Sequence, residues 1–266
     1  MNKDAGTQLP RTVSESSLAR VWARILLDIY DNPGTELSPV VISIAGHGVS
    51  KEDKKLMELL DALLASRGML SNEKVAFTIF PQRLWKMCGG EREALFSMYK
   101  EVSSRYRALN KSLNGRGLYF ERLVDFGKGP CGGNQLKWIL EQYESRKGVR
   151  RSMLQAAIFD PARDHVANAQ LGFPCLQHIS FIPTAEGLVL NAFYATQQWL
   201  NKGFGNYLGL SRLGKFMASE MGIPFAKLNA MIGVLKLEKV NKTDDELIPV
   251  VSHARSLLKA AGGVMA

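Results

Sequence analysis

The sequence predicts an α+β fold. Apolar stripes at helical spacing recur along the chain, short strand-like runs lie between them, and the two never settle into the regular βαβ rhythm of a doubly wound sheet. At 46% hydrophobic over 266 residues, the chain has enough apolar side chains for a substantial core. No internal repeat or low-complexity linker divides it, so one domain is expected over 1–266, with 1–15 as a loose polar arm.

The elements follow in order. A helix is expected over 16–30, capped by Ser16 or Ser17, with Leu18, Val21, Trp22, Ile25, Leu26 and Ile29 on one face. Asn32-Pro33-Gly34 closes it as a turn. Residues 40–45 read as a strand, 51–66 as a helix and 75–80 as a short strand or extended segment. Helices are expected over 91–109 and 135–143, the second with Leu136, Ile139, Leu140 and Tyr143 on one side. Residues 152–159 read as a strand. Strands 175–183 and 188–194 follow, joined by a hairpin at 184–187. A helix over 207–221 stops at Gly222-Ile223-Pro224. A last strand covers 231–240 and a last helix 251–261.

Composition excludes several classes. No apolar run approaches the roughly 20 residues of a membrane span, and residues 1–10 have no signal-peptide core, so a cytoplasmic protein is expected. Cys88, Cys131 and Cys175 stand singly, which argues against a disulfide framework and a zinc site; the four histidines show no metal-ligand spacing. The net charge of +9 suits a polyanionic partner: nucleic acid, nucleotide or an acidic cofactor. It equally suits a solvated basic surface, since no basic run forms a nucleic-acid motif. The glycine-rich Lys128-Gly129-Pro130-Cys131-Gly132-Gly133 lacks the ending of a phosphate loop.

The chemistry concentrates after residue 149. Arg150-Arg151 leads into Ser152-Met153-Leu154. Gly172-Phe173-Pro174-Cys175 opens a strand, the hairpin and residues 190–194 follow, and Gly203-Phe204-Gly205-Asn206-Tyr207 opens a helix. In that order these features resemble thymidylate synthase and its relatives, the pyrimidine-nucleotide hydroxymethylases. The resemblance spans 150–238, a third of the chain, with looser echoes at 117–123, Asn134-Gln135 and Leu84-Trp85.

The resemblance implies a thymidylate synthase-like fold and a homodimer packed sheet to sheet. It implies Cys175 as the nucleophile that adds to C6 of a pyrimidine nucleotide, so that C5 takes a one-carbon unit from 5,10-methylenetetrahydrofolate. It implies Arg150 and Arg151 as phosphate ligands reaching across the dimer, and Asn206 as a reader of the pyrimidine edge. The residue types suit those tasks: a thiolate needs positive charge nearby, guanidinium forks bind phosphate bidentately, and an amide offers both donor and acceptor. Each also has a plain reading. A free cysteine is often a buried small hydrophobe, the arginines could be a solvated turn, and asparagine is a favoured helix N-cap.

The pattern also departs from the family. Thr196 and Gln197 stand where an arginine and a serine bind phosphate, and Trp199 where an aspartate meets cofactor and ring. Lys236 and Glu238 replace the sugar-binding histidine and tyrosine, and Gln82 falls at the position of the glutamate base. His178 lies three residues from Cys175, which on a regular strand puts the two on opposite faces. Strand 175–183 reads as apolar on both sides, Ile179 and Phe181 on one and Leu176 and Ile182 on the other, consistent with a covering twin. Three readings follow: a divergent folate-dependent methyl- or hydroxymethyltransferase, a non-catalytic nucleotide-binding or interaction protein on the same fold, and a transferase acting on a pyrimidine within nucleic acid. An ordinary thymidylate synthase is not expected.

Overall fold

A computed structural model describes residues 9–46, 50–109, 111, 115–146, 148–167, 173–238 and 240–262. Its centre is a seven-stranded mixed sheet, so the α+β expectation holds at that level. The strands are β1 (Arg11–Glu15), β2 (Glu36–Leu37), β3 (Val40–Ile44), β4 (Gln155–Ala157), β5 (Leu176–Thr184), β6 (Gly187–Gln198) and β7 (Phe225–Lys236). They run in the order β1-β3-β7-β6-β5-β4, with β2 pairing the end of β7. β1 with β3 and β6 with β7 are parallel; the other pairs are antiparallel.

Ten helices are described: α1 (Leu18–Asp31), α2 (Lys51–Ser66), α3 (Asn72–Phe77), α4 (Gln82–Met87), α5 (Arg92–Leu109), α6 (Tyr119–Val124), α7 (Gln135–Ser145), α8 (Pro161–Asp164), α9 (Phe204–Glu220) and α10 (Ile248–Gly262). The expected stripe of α1, from Leu18 to Ile29, is buried throughout, and the Ser17 hydroxyl caps the helix by accepting from the Arg20 amide. Ser50 and Asp53 form a reciprocal capping box on α2. Asp53 is itself buried and accepts from the Ala19 amide at 2.6 Å, so one carboxylate fixes the starts of both helices.

Several expectations are corrected. Residues 75–80 are not extended: the Ser71 hydroxyl caps α3 across 72–77, and α9 packs on α3 at close range. A Cβ at Gly205 would lie 2.6 Å from the Val75 Cβ, so glycine is what lets the two helices approach. The expected arm is partly ordered, since 11–15 form β1; residues 1–8 lie outside the described residues. The strand read over 152–159 shrinks to β4. β6 runs four residues beyond 194, and the last strand starts at 225. Helix α9 begins at 204 rather than 207, placing Asn206 inside its first turn and not at its cap.

One face of the sheet packs under the helices. Ile42, Ile179, Phe181, Leu190, Leu228 and Ile232 are buried there. The other face carries rows of paired residues with no helix indicated over them by their burial. Val41, Met231, Phe193 and His178 form one row. Ser43, Asn229, Asn191 and Ser180 form the next, with Asn229 Nδ2 donating to Asn191 Oδ1 at 2.9 Å and Asn191 Nδ2 to Ser180 Oγ at 3.2 Å. Leu176 does not belong to this face. A bulge between Leu176 and His178 resets the alternation and buries Leu176 with Ile179 and Phe181.

At the β4 end, Arg122 and Asp164 form a fully buried bidentate pair at 2.6 and 2.8 Å, and Arg122 also donates to the carbonyls of Ile158 and Arg116. Burial opposes the Asp164 charge, but the bonds from Arg122 and the Asp160 amide outweigh it and hold the carboxyl below its ordinary range. Asp164→Asn should therefore cost about 3–5 kcal/mol in urea denaturation at pH 7, because it strands a buried guanidinium. Because the folded value is depressed, the carboxylate's contribution should be complete above the unfolded value of about pH 4 and disappear as pH falls through the folded value. An acid-unfolding curve of the variant should lack that component.

Candidate functional site

Cys175 lies at the mouth of β5, directly after the buried Pro174. Its carbonyl accepts from the Ala195 amide at 3.0 Å, which sets the ends of β5 and β6 side by side. That places the Thr196 hydroxyl 3.5 Å from the Cys175 sulfur, and Thr196 is exposed. The thiol packs against the core side of the sheet. His178 lies on the open face, where its Nε2 sits 2.8 Å from Gln155 Oε1 and burial lowers its pKa. The two therefore do face opposite sides.

Two segments of the helix layer pack beside these strands, one against β4 and one at the end of β6. The first is α6, whose first residue is Tyr119. The Phe120 amide donates to the Thr78 carbonyl, and Arg122 is held by Asp164. Gln135 donates to the carbonyls of Arg122 and Ala157 and accepts from the Ala157 amide, tying α6 and α7 to β4. Burial and then the Cys175 charge push the Tyr119 phenol upward, while the amides of Leu176 and Cys175 face its oxygen.

The second segment is a π-helical turn, Trp199–Gly203, between β6 and α9. Trp199 is wholly buried, its ring stacked on Trp22 with centroids 6.3 Å apart. Each indole donates to the other residue's backbone carbonyl, at 3.3 and 3.2 Å. A Cβ at Gly203 would lie 2.8 Å from the Trp199 ring, so the backbone wraps the indole only because residue 203 is glycine. Lys202 is the fourth residue of the turn and is partly exposed. Burial lowers the Lys202 pKa and the Cys175 charge opposes that shift; no hydrogen bond or ion pair engages its ammonium among the described residues. Tyr194 and Tyr207 pack on each other, rings edge to face at 5.9 Å, and both hydroxyls are buried without a partner among the described residues.

The structure brings Cys175 and Thr196 together and distributes the other expected site residues elsewhere. Asn206 is buried, and its Nδ2 donates to Gln197 Oε1 at 3.3 Å, so a neighbouring side chain occupies that donor. Trp199 lines no opening; the expectation that it reshapes a pocket gives way to a core role, because its indole is wholly engaged with Trp22. Lys236 pairs with Glu36 at 2.7 Å, and Glu238 accepts from Gln198 at 2.5 Å. Arg150 and Arg151 are exposed beside a short 3-10 turn, and neither guanidinium has a partner among the described residues. Gln82 lines a cavity of about 270 Å³ with Asp53, Lys86, Phe204 and Arg212, which Cys175 does not line. A second cavity, about 280 Å³, lies among Phe126, Lys128, Trp138 and Gln155, also away from Cys175. Gly172 lies outside the described residues.

Sequence reasoning missed Lys202, Tyr119, Tyr194 and Tyr207. One signal was present: Lys202 is the sole charged residue across 187–211. No group of three or more potential metal ligands occurs among the described residues, and no described helix is long and apolar enough to cross a membrane. No protein-family model matches the chain, and no curated protein does, so the nature of the site rests on its own residues.

Two substitutions separate the packed from the unpartnered groups. Trp199→Ala should cost about 3–5 kcal/mol in urea denaturation, the range for truncating a buried aromatic. Tyr194→Phe should be neutral or stabilising by about 1 kcal/mol, since it removes a buried hydroxyl with no partner.

Proposed function

We propose that this chain is a divergent member of the thymidylate synthase and pyrimidine-nucleotide hydroxymethylase family, a homodimer that acts on a pyrimidine nucleotide through Cys175. One observation carries the reading: the half-buried Cys175 thiol at the mouth of β5 accepts from the hydroxyl of the exposed Thr196 at 3.5 Å, a polar and accessible setting unlike that of an inert core cysteine. Addition of the sulfur to C6 of the ring would push the C5–C6 π pair toward C5 and the C4 carbonyl oxygen. Thr196, beside the sulfur, would touch the bound nucleotide. Arg150 and Arg151 are free to meet phosphate, from this subunit or across the dimer. The basic net charge favours such an anionic ligand.

The dimer is supported by the open sheet face. Phe193 and Met231, paired across β6 and β7, are 39% and 49% exposed. The neighbouring ladder of serines and asparagines offers hydrogen bonds to a twin. Sedimentation should give a dimer at micromolar concentration, and Phe193→Asp with Met231→Lys should give a monomer. A monomeric wild type would remove the cross-subunit role of the arginines.

The one-carbon donor that the resemblance implies is 5,10-methylenetetrahydrofolate. The residues fit it poorly: where the family's carboxylate meets cofactor and ring, Trp199 is turned into the core and presents nothing to a ligand. The same observation favours a second reading, a non-catalytic nucleotide-binding protein on this fold.

Intact-protein mass spectrometry with 5-fluoropyrimidine nucleotides separates the two. An adduct in wild type that is lost in Cys175→Ala supports the covalent reading, and its dependence on added folate tests the donor. Binding without an adduct supports the second reading, and neither binding nor adduct defeats both. Arg151→Ala should weaken nucleotide binding by about 1.5–3 kcal/mol, the range of a hydrogen bond to a charged group, as read by calorimetry.

A further inference from the structure

The cavity of about 270 Å³ that Gln82 lines opens where two helices begin. β1 and β3 lie side by side in parallel, and the chain leaves β1 for α1 and β3 for α2. The crevice beyond the carboxyl ends of such strands is a recurrent place for ligands. Here the two exits are pressed together. A Cβ at Gly46 would lie 1.6 Å from the Ser16 carbonyl oxygen, so glycine is what lets them approach. Leu18 at the start of α1 and Asp53 at the start of α2 line the cavity. One face of α9 adds Phe204, Leu208, Arg212 and Lys215 at helical spacing, and α4 adds Lys86. Leu18, Phe204 and Leu208 are buried and give the cavity an apolar floor.

The charges around that floor do not balance. The Asp53 carboxylate accepts from the amides of Ala19 and Ser50 and from the Ser50 hydroxyl, so its oxygens serve the helix starts. Arg212 donates to both oxygens of Glu73, at 2.8 and 2.6 Å. Those bonds hold the Glu73 carboxyl below its ordinary range against burial, and the charges of Arg212, Arg83 and Lys86 add to the effect. One carboxylate therefore answers several cations. Lys86 and Lys215 are exposed at the mouth, and no hydrogen bond or ion pair engages either ammonium among the described residues. Partial burial and then the Arg212 charge push Lys215 below the ordinary lysine range, a strain that a bound anion would relieve.

We infer that this cavity binds a small organic phosphate, with Lys86 and Lys215 on the phosphate and Leu18, Phe204 and Leu208 under the apolar body. The charge of the ligand follows from the imbalance. A phosphate monoester carries about −1.5 to −2 at pH 7, which matches two free ammoniums. Lysine meets phosphate as a point charge and needs no fork geometry, so Arg212 stays with Glu73 and contributes only its field. Gln82 and Ser211, also at the wall, offer neutral hydrogen bonds to the remaining ester oxygens. An apolar floor with a few polar groups at one side is the usual build of a small-molecule site. The inference does not rest on the reading of Cys175 as a nucleophile: neither Cys175, Thr196, Arg150 nor Arg151 lines this cavity.

The test is calorimetry on the full chain at pH 7.5, with phenyl phosphate and inorganic phosphate as probes. Phenyl phosphate is expected to bind saturably, and about tenfold or more tightly than inorganic phosphate, because its ring covers the apolar floor. Lys86→Gln with Lys215→Gln should weaken phenyl phosphate about tenfold or more, and Lys86→Gln alone should show part of that loss. Both lysines are exposed and unpaired, so the melting temperature without probe should hold. Arg150→Ala with Arg151→Ala should leave this binding intact. No saturable heat with the wild-type chain overturns the site. So does wild-type affinity in the double lysine variant, or a loss confined to the arginine variant, which would put the phosphate at the arginines. Equal affinity for the two probes overturns the assignment of an organic ligand. Neither probe is a pyrimidine, so the outcome is independent of whether fluoropyrimidine nucleotides form an adduct at Cys175.

Discussion

Trp22 and Trp199 each donate an indole N–H to the other's backbone carbonyl, and the arrangement around Cys175 depends on that exchange. A buried indole needs a partner for its N–H. Here two indoles satisfy each other's backbones while their rings stack, so the contact joins α1 to the end of β6 with no polar group of the pair left over. α1 is in turn fixed at its start by Ser17 and by Asp53, whose carboxylate also accepts from the Ser50 amide and so closes the capping box of α2. The π turn thus starts from a rigid base, and the direction of Lys202 is a consequence of core packing.

Under the proposed family reading, tryptophan stands at the aspartate position, and the same lock gives that tryptophan a core role. An aspartate placed in this stacked, dry setting would need a cation or several donors to offset the loss of water, a cost of several kcal/mol. The chain instead uses the position for apolar burial. Under the same reading Thr196, whose hydroxyl lies beside the Cys175 sulfur, takes the place of a phosphate-binding arginine, so the two departures cancel in charge.

Much of the fold was legible. Helices with a cap and a one-sided stripe, such as α1 and α2, were readable because cap and stripe agree. The misread pieces share a cause, which is that contacts distant in sequence overrode local preference. Val75, Thr78, Ile79 and Phe80 look extended by composition, yet Ser71 caps a helix there and Gly205 lets α9 press against it. β1 is five residues with one buried side chain, Val13, and exists because it pairs in parallel with β3. The bulge after Leu176 has no local sequence mark, and it moves Leu176 to the opposite face.

The candidate site was legible in the position of Cys175 at the mouth of a strand and in the exposed arginine pair, but not in what surrounds the sulfur. Tyr119 precedes Cys175 by 56 positions in the sequence and reaches it through a chain of buried bonds, Arg122 to Asp164 and Gln135 to Ala157, that no local pattern announces. Lys202 is different in kind. A lone charge inside 25 otherwise uncharged residues, 187–211, is readable as an anomaly, but its direction depends on whether the turn has an α or a π pitch. An α-helical start at Trp199 would rotate residue 202 by a different angle about the axis and drop the extra residue that wraps the indole. The pitch is set by the buried ring of Trp199 pressing on Gly203, so the path of the chain from β6 into α9 follows from a packing contact between a tryptophan and a glycine.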